Sequence, residues 1–254
     1  MVTSPRFTRQ VSPWFLVPNA MEHPRYRVFG VPYAGGNATA FHKWGAHFTR
    51  DEIFSVQLPG RAFRRKEPCI VEVPTLIDTL LKVMQPHLDV PFVLYGHSMG
   101  AMVAFELARG LRRAGWRAPE ALIVSGRRSP QVKAREVVTS TLSDDQFWQL
   151  VGKLYGTPKA LLESVELKTM LMPTFRGDFA LLHGWAYQEE EPLELPIFAM
   201  GGDADPGISR EALEGWSTQT TRRFQCEMFP GGHMFIQPKE ADVVASLRAI
   251  LDSL

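Results

Sequence analysis

The sequence has few cysteines, almost no net charge and no long apolar run, and each shortage excludes a class of protein. Cys69 and Cys226 stand far apart and form no C-x-x-C pattern, which excludes a cysteine-built zinc site or disulfide framework and fits a reducing compartment. Its 28 basic and 27 acidic side chains nearly cancel, so no global field would hold nucleic acid or an anionic membrane. No uncharged apolar run approaches the roughly 18 residues that a membrane span needs.

The N-terminal segment also lacks the features of an export signal. Its longest apolar run, from Trp14 to Val17, is bounded by prolines, whereas a signal peptide needs a continuous apolar stretch of about 7–15 residues. We therefore expect a cytoplasmic protein. With 254 residues, of which 45% are hydrophobic, the chain is long and apolar enough to bury a sizeable core and is not intrinsically disordered.

Short apolar runs alternate with helical patterns along most of the chain. Strands that alternate with helices favour a mostly parallel sheet with helices on both faces, which is an α/β fold. The helical patterns between the runs include one near Asn37 and one that begins at Thr75, a plausible N-cap. The predicted strands are residues 26–31, 53–58, 91–95, 121–125, 197–201 and 222–229.

One stretch interrupts this alternation. Residues 127–196 show no convincing strand pattern and are predicted to form several short helices, and roughly 70 residues are too many for an ordinary connection between two strands. We predict that residues 1–126 and 197–254 form a single core domain, and that residues 127–196 form a helical lid inserted into it. The alternative is extra helical decoration that only covers the sheet.

The most informative local pattern is Gly96-His97-Ser98-Met99-Gly100, which follows an apolar run and opens a helical one. The two glycines lack a Cβ and let a strand and a helix approach closely around a strained turn. Such a turn lifts the Ser98 hydroxyl clear of the sheet, with the Met99 N–H pointing into the same space. The pattern predicts a nucleophile elbow. The alternative is an ordinary turn in which Ser98 only caps the helix.

A nucleophilic serine needs a base, and the base needs a carboxylate to orient it. Among the seven histidines, His233 stands out because it lies on a glycine-rich loop after the last predicted strand. For the acid, Asp205 stands in a G-x-x-D spacing after the fifth predicted strand, and we favour it over Asp203, which alone would be interpreted as a turn former. Ser98, Asp205 and His233 then have the chain order of the α/β-hydrolase fold.

An oxyanion hole for this serine needs two N–H donors. The Met99 N–H is the first. We expect the second from the loop after the first predicted strand, where the small Ala34 precedes Gly35 and Gly36. Taken alone, the glycine pair would be an ordinary loop, and its position two strands before the elbow strand is what suggests the role.

Several short motifs connect these residues to a known family. The combination of G-H-S-M-G with L-P-G-R and P-G-G-H is specific, and the matching segments run along nearly the whole chain. They are residues 32–36, Phe41 with Trp44, 58–61, 96–101, 155–158, 176–179, 202–205 with Trp216, and 230–235. The chain thereby resembles the external, type II thioesterases that accompany polyketide and nonribosomal peptide synthases. It departs from that family at Tyr33 and Gly177, where histidine and alanine are more usual.

The resemblance implies an activity and a partner. The enzyme would hydrolyse acyl groups, often aberrant or stalled, from the phosphopantetheine arm of acyl or peptidyl carrier protein domains. Ser98 would form an acyl-enzyme while His233 moves the proton and Asp205 holds the imidazole. No cofactor or metal is implied, because phosphopantetheine arrives as part of the substrate. The resemblance further implies a monomer, with residues 127–196 covering an acyl channel.

Two further groups are candidates for contact with the substrate or its carrier. Arg61, Arg64, Arg65 and Lys66 form a basic cluster after the second predicted strand. Because carrier proteins are generally acidic, this cluster is either a docking patch or a solvated loop in which Arg61 alone is structural. Tyr33 is assigned to the entrance of the site. The apolar side chains that either line an acyl channel or form the core of the lid include Met170, Phe175 and Phe179.

Two other functions fit parts of the pattern. An esterase of the same fold could act on free small esters, because the fold does not fix the substrate. The motifs at residues 58–61 and 176–179 favour the thioesterase over this alternative. A non-catalytic binding protein could also keep the fold, but the complete set of Ser98, Asp205 and His233 argues against it.

Overall fold

The computed structural model describes residues 9–132, 139–156 and 162–254. In these ranges the chain forms an eight-stranded sheet with the order β1-β2-β4-β3-β5-β6-β7-β8. The first two strands pair antiparallel with their neighbours, and the other six are parallel to one another. The strands are β1 Arg9–Ser12, β2 Phe15–Val17, β3 Arg27–Val31, β4 Glu52–Val56, β5 Phe92–His97, β6 Ala121–Ser125, β7 Ile197–Gly202 and β8 Phe224–Phe229.

Helices cover both faces of this sheet. The helices are α1 Val73–Met84, α2 Met99–Arg113, α3 Asp144–Tyr155, α4 Val165–Gly184, α5 Arg210–Glu214 and α6 Glu240–Ser253. One core cluster joins Phe29 and Leu94 to α1 and α2, and a second joins Val93 and Ile123 to the 3-10 helix Ala38–His47 and to α6. Both faces of the central strands are therefore apolar, as a parallel sheet between two helical layers requires. The prediction of an α/β fold with a mostly parallel sheet is confirmed.

The ends of several elements differ from their predicted positions. The helix predicted from Thr75 begins two residues earlier, at Val73, and Glu72 is its N-cap residue, so the prediction of Thr75 as the cap is wrong. Pro74 explains the earlier start, because its fixed φ suits the first turn of a helix. The strands β1 and β2 were not predicted, since each has at most four residues.

Between residues 127 and 196 the described parts are mainly helical. Ser143 and Gln146 form a capping box that starts α3, and Ser164 caps α4. The Phe147 ring of α3 packs edge-on against the Phe179 ring of α4, with centroids 5.0 Å apart. Helices are thus present where the sequence predicts them. Across the described residues, no helix is long and apolar enough to cross a membrane.

Candidate active site

Ser98 lies at the sharp turn between β5 and α2. Its φ of 56° and ψ of −113° are a conformation that costs a non-glycine residue about 1–3 kcal/mol. The turn is tight, because a Cβ on Gly96 would overlap the carbonyl of Gly100, and a Cβ on Gly100 would overlap the carbonyl of Val31. The Ser98 side chain makes no capping hydrogen bond with α2. The hydroxyl therefore remains available at the carboxyl end of the strand, and the alternative of a simple helix cap does not describe it.

A chain of hydrogen bonds joins Ser98 to His233 and Asp205. The His233 Nε2 lies 2.9 Å from Ser98 Oγ, and its Nδ1 lies 2.7 Å from Asp205 Oδ2. The Gly207 N–H donates to the other carboxylate oxygen of Asp205 at 2.8 Å. The Asp205 side chain is only 4% exposed, whereas that of His233 is 19% exposed. In this arrangement the imidazole can take the serine proton while the shielded carboxylate fixes the ring.

Asp203, the competing acid, has a different partner. Its Oδ1 accepts a hydrogen bond from the Gly231 N–H at 2.9 Å, and its own N–H donates to the Phe229 carbonyl at 2.9 Å. These bonds tie the end of β7 to the loop that carries His233. In the structure Asp205 thus contacts the imidazole, and Asp203 contacts the backbone of the loop that carries it.

The turn after β3 lies beside the elbow. The Gly36 N–H closes the turn on the Tyr33 carbonyl at 2.9 Å, and Gly35 has a φ of +77°. Because β3 and β5 are parallel and Val31 pairs with the first glycine of the elbow, both loops leave the same edge of the sheet. The register therefore brings the turn of Ala34 to the same end of the sheet as the start of α2, so the two predicted oxyanion donors follow adjacent strands.

Aromatic rings from α3 and α4 cover the hydrogen-bonded chain of Ser98, His233 and Asp205. The Tyr155 ring lies 5.9 Å from the His233 ring and 6.1 Å from the Tyr33 ring, between centroids. The Phe175 ring packs 5.9 Å from Tyr155 and 5.9 Å from Trp148. Burial raises the pKa of the Tyr155 phenol and, to a smaller extent, that of Tyr33, so both stay protonated at neutral pH. Residues within the predicted lid thus form an apolar wall over the imidazole.

His97 supports the site from the opposite side. Its side chain is completely buried, with its Nδ1 2.9 Å from Ser125 Oγ. Its ring centroid lies 5.4 Å from that of His233 and 6.0 Å from that of Tyr33. Burial lowers the pKa of His97 well below 6.5, and a positive charge on His233 would lower it further. The imidazole is therefore neutral in the folded protein over the ordinary range of pH.

This burial predicts a loss of stability in acid. The unfolded chain takes up a proton on His97 as the pH falls below about 6.5, and the folded chain does not. The contribution of neutral His97 to the free energy of unfolding is therefore present above that pH and decreases below it by up to about 1.4 kcal/mol per pH unit. Urea unfolding at pH 7.5, 6 and 5 measures the decrease. We expect His97→Gln to lose less stability than wild type over this range. His42→Gln, at an exposed position, is the control, and equal slopes for all three proteins contradict the prediction.

The structure corrects the prediction for Arg64. Its side chain is only 6% exposed, donates to the Glu67 carboxylate at 2.9 and 2.6 Å and to the Gln57 carbonyl at 2.9 Å, and lies 3.8 Å over the Trp14 ring. A guanidinium held in this way is unavailable to a partner, so Arg64 does not belong to a docking patch. Arg65, the next residue, is exposed.

The predicted acyl-channel residues have three different surroundings. Phe175 reaches the site, where its ring packs directly against Gly35, as a Cβ on that glycine would overlap the ring. Phe179 is 9% exposed and belongs to the core between α3 and α4. Met170 is 59% exposed on the surface. Phe179 therefore fits the alternative that these side chains form the core between the helices. Met170 fits neither alternative in this conformation, because it faces solvent.

Two residues at the site, Tyr155 and Asp178, were not among those predicted. Tyr155 and Asp178 fall in motifs that carry the family resemblance, residues 155–158 and 176–179, and this was the only signal for them. Residues 157 and 158 lie outside the described residues. Arg61 was predicted as a member of the basic cluster, either in a docking patch or in a structural role, and it pairs with Asp178 beside the turn after β3.

Away from His233, the middle residue of the acidic run at residues 189–191 is paired with arginines. Glu190 pairs with Arg109, Arg112 and Arg113 on α2, at 2.6, 2.7 and 2.7 Å. These ion pairs tie the segment before β7 to α2. In the three described ranges, no group of three or more His, Cys, Asp or Glu side chains is placed to hold a metal ion.

Comparison with known proteins places these features in a family. The sequence model of the family described as "Thioesterase domain" matches residues 26–252 of the chain. The gramicidin S biosynthesis protein GrsT of Aneurinibacillus migulanus is 38% identical over 239 residues, which are 94% of this chain and 93% of that protein. Nearly the whole chain, including the elbow and the loops of Asp205 and His233, therefore lies within the matched region.

Solved structures agree with the sequence comparison. The type II thioesterase BorB from the borrelidin biosynthetic cluster superposes with a TM-score of 0.87 at 30% identity, covering 95% of this chain and 98% of that one. ClbQ, from the colibactin NRPS/PKS pathway, superposes with a TM-score of 0.85 at 28% identity, covering 90% and 98%. The arrangement of the sheet and the helices is thus that of the α/β-hydrolase fold found in these enzymes.

Proposed function

This chain belongs to the thioesterase family, and from that premise we propose that it removes acyl groups, often aberrant or stalled, from the phosphopantetheine arms of carrier proteins. The observation that carries the proposal is the hydrogen-bonded chain Ser98–His233–Asp205 beside the turn of Ala34. The similarity to GrsT, BorB and ClbQ, each named for a biosynthetic pathway, supports a carrier-bound substrate over a free one.

Acylation begins at the Ser98 hydroxyl. Because an ionised carboxylate only accepts hydrogen bonds, His233 Nδ1–H donates to Asp205 and the free Nε2 accepts from the serine hydroxyl. The Ser98 oxygen attacks the thioester carbonyl as its proton passes to Nε2, and the Asp205 carboxylate stabilises the imidazolium that forms. The backbone N–H groups of Ala34 and Met99 would stabilise the tetrahedral oxyanion. The imidazolium then protonates the departing phosphopantetheine thiol.

Deacylation repeats these steps with water. His233 accepts a proton from a water molecule, the resulting hydroxide attacks the acyl-enzyme, and Ser98 leaves with the proton returned from the imidazole. The mechanism uses no cofactor and no metal ion. Tyr155 and Phe175, which cover the triad, would contact the acyl chain or the phosphopantetheine arm during both steps.

The proposal also covers the lid, the oligomeric state, the location in the cell and the entrance of the site. We propose that residues 127–196 act as a lid on a core formed by residues 1–126 and 197–254, because α3 and α4 supply the rings above the triad. We also propose a monomer that works in the cytoplasm, where carrier proteins of synthases are found. The entrance would lie at Tyr33, whose ring meets that of Tyr155.

The exposed remainder of the basic cluster gives a prediction about docking. Arg65 and Lys66 are exposed next to Phe63, which is 55% exposed, and they would attract an acidic carrier. We expect Arg65→Glu/Lys66→Glu to lower kcat/KM for an acyl-carrier about three- to tenfold. The value of kcat/KM for the same acyl group on free pantetheine should stay unchanged. Lys82→Glu/Arg248→Glu, which makes an equal charge change at exposed positions on α1 and α6, is the control. An equal loss on both substrates would contradict a docking role.

A panel of substrates tests the proposed function. Acyl-phosphopantetheinyl carriers, acyl-pantetheine and simple esters of the same acids are compared by the release of thiol or acid. The proposal expects kcat/KM to be highest for the carrier thioesters. Faster hydrolysis of the simple esters would favour the esterase alternative, and no hydrolysis of any substrate would favour a binding protein.

A further inference from the structure

The lid helix α4 places a carboxylate on the turn after β3. Asp178 Oδ2 accepts a hydrogen bond from the Gly35 N–H at 2.7 Å, although the two residues are separated by 143 positions in the chain. The Asp178 side chain is 3% exposed. A buried carboxylate therefore contacts the backbone next to Ala34, and it comes from the segment that covers the site and not from the sheet.

Arg61 holds this carboxylate from the other side. Its guanidinium donates to both oxygens of Asp178, at 2.7 and 2.6 Å, and also donates to the Gly36 carbonyl at 3.1 Å. The Arg61 side chain is only 5% exposed. The pair is consequently hydrogen-bonded to the turn at two groups, the N–H of Gly35 and the carbonyl of Gly36.

The Gly35 N–H that Asp178 binds belongs to the central peptide of this turn. The turn is closed by the Gly36 N–H on the Tyr33 carbonyl, and the positive φ of Gly35 at its third position is that of a type II turn. Type I and type II turns differ mainly in the orientation of the central peptide, here the one between Ala34 and Gly35. A reversed peptide would direct the Ala34 carbonyl, instead of the Gly35 N–H, at the carboxylate. The Ala34 N–H belongs to the preceding peptide, so its position depends on where the whole turn is held.

We propose that Asp178 is a positioning residue that, with Arg61, anchors the turn at the Gly35 N–H and the Gly36 carbonyl and so holds the Ala34 N–H where it faces the oxyanion. The inference rests on the proposed oxyanion role of Ala34. Stability alone is a weak reason for such a pair, because a buried ion pair often stabilises a fold no more than apolar side chains of the same size. Phe175, also from α4, packs on Gly35. The lid helix therefore both positions the backbone of the turn after β3 and supplies part of the apolar wall of the site.

A transition-state analogue separates positioning from general damage. An alkyl trifluoromethyl ketone adds to the active serine and leaves an oxyanion in the hole, whereas KM for an acyl-pantetheine reports mainly on ground-state binding. Both Asp178 oxygens accept hydrogen bonds, so the NH2 group of an asparagine would face a donor of Arg61 or Gly35. We therefore expect Asp178→Asn to lower kcat about 10- to 100-fold and to weaken binding of the ketone by a similar factor, with KM changed less than about threefold. The control is Asp144→Asn, which removes the exposed ion pair between α3 and Arg176, a residue of α4 like Asp178. It should change neither kcat nor the affinity for the ketone.

A double variant keeps the test valid if Asp178→Asn unfolds. Arg61→Met/Asp178→Leu removes both charges, so no unpaired charge remains buried. We expect this protein to fold and still to bind the ketone at least about tenfold more weakly than wild type. Wild-type affinity for the ketone in either folded variant would overturn the positioning role.

Failure of this inference differs from failure of the proposed function. If wild type hydrolyses acyl-pantetheine and binds the ketone, while the Asp178 variants keep both properties, only the positioning role is wrong. If wild type neither hydrolyses the thioester nor reacts with the ketone at Ser98, the proposed function falls and the inference falls with it.

Discussion

Ser98→Ala is expected to lower kcat for an acyl-carrier thioester by roughly 10⁴- to 10⁶-fold, because the nucleophile of a triad acts as a unit with its base. The His233 imidazole would remain in place 2.7 Å from Asp205, but it would have no hydroxyl to activate. A residual rate above that of water would come from the oxyanion donors and from substrate binding. Release of the carrier thiol, followed by a thiol-reactive dye, measures the loss.

The control for this variant is a serine that caps a helix. Ser209 accepts a hydrogen bond from the Ala212 N–H at the start of α5, so Ser209→Ala removes about 0.5–2 kcal/mol of stability and no nucleophile. We expect Ser209→Ala to keep its activity and Ser98→Ala to keep its stability, since Ser98 makes no such cap. Turnover by Ser98→Ala within about tenfold of wild type would refute the nucleophile.

Asp205→Asn is expected to lower kcat about 10⁴-fold, and Asp203→Asn less than about tenfold. The amide introduced by Asp205→Asn would favour the tautomer of His233 that carries its proton on Nε2, which then cannot accept a proton from the serine. In Asp203→Asn the side-chain oxygen can still accept from the Gly231 N–H, the bond that Asp203 makes now. The two neighbouring carboxylates therefore give a matched pair of variants.

Single-turnover kinetics on both variants decide between these acids. The expected result is slow acylation in Asp205→Asn and near-normal acylation in Asp203→Asn, with the two proteins equally folded by circular dichroism. A larger loss in Asp203→Asn would reverse the assignment of the acid and require the loop of residues 202–207 to adopt a different conformation during turnover.

The strands, and the meeting of Ser98, Asp205 and His233, were predictable because their causes are local. Apolar runs followed by turns define parallel strands, and Ser98, Asp205 and His233 each follow such a run. The carboxyl ends of parallel strands meet at one edge of a sheet, so residues distant in the chain meet there as well. The glycines beside Ser98 were equally informative, because only a residue without a Cβ fits between the strand and the helix at the elbow.

The environment of the charged residues was not predictable in the same way. Arg64 and Arg65 are neighbours with the same chemistry, yet one is buried against Trp14 and the other is exposed. The Trp14 partner belongs to the antiparallel hairpin at the start of the chain, which is too short to give a pattern. Asp178 likewise meets Gly35 across most of the chain. No local periodicity shows which carboxylate a fold will bury, because its partners are set only by tertiary packing.

The same reason explains the predictions for the lid. Helical patterns indicated its helices, but an apolar side chain on such a helix can face the substrate, the lid core or solvent. Phe175, Phe179 and Met170 take these three surroundings in turn. Only the packing of α4 on the turn after β3, through Phe175 and Asp178, distinguishes them.

The central claim is that an acyl group passes from a carrier thioester to Ser98 and then to water. The most direct measurement is intact-protein mass spectrometry, with peptide mapping, of the enzyme quenched within milliseconds of mixing with an acyl-phosphopantetheinyl carrier. The account predicts a transient mass increase equal to one acyl group, located on Ser98 and absent from Ser98→Ala, with free carrier thiol formed in step. Rapid release of carrier thiol without acylation of Ser98, or with the acyl group on another residue, would contradict it.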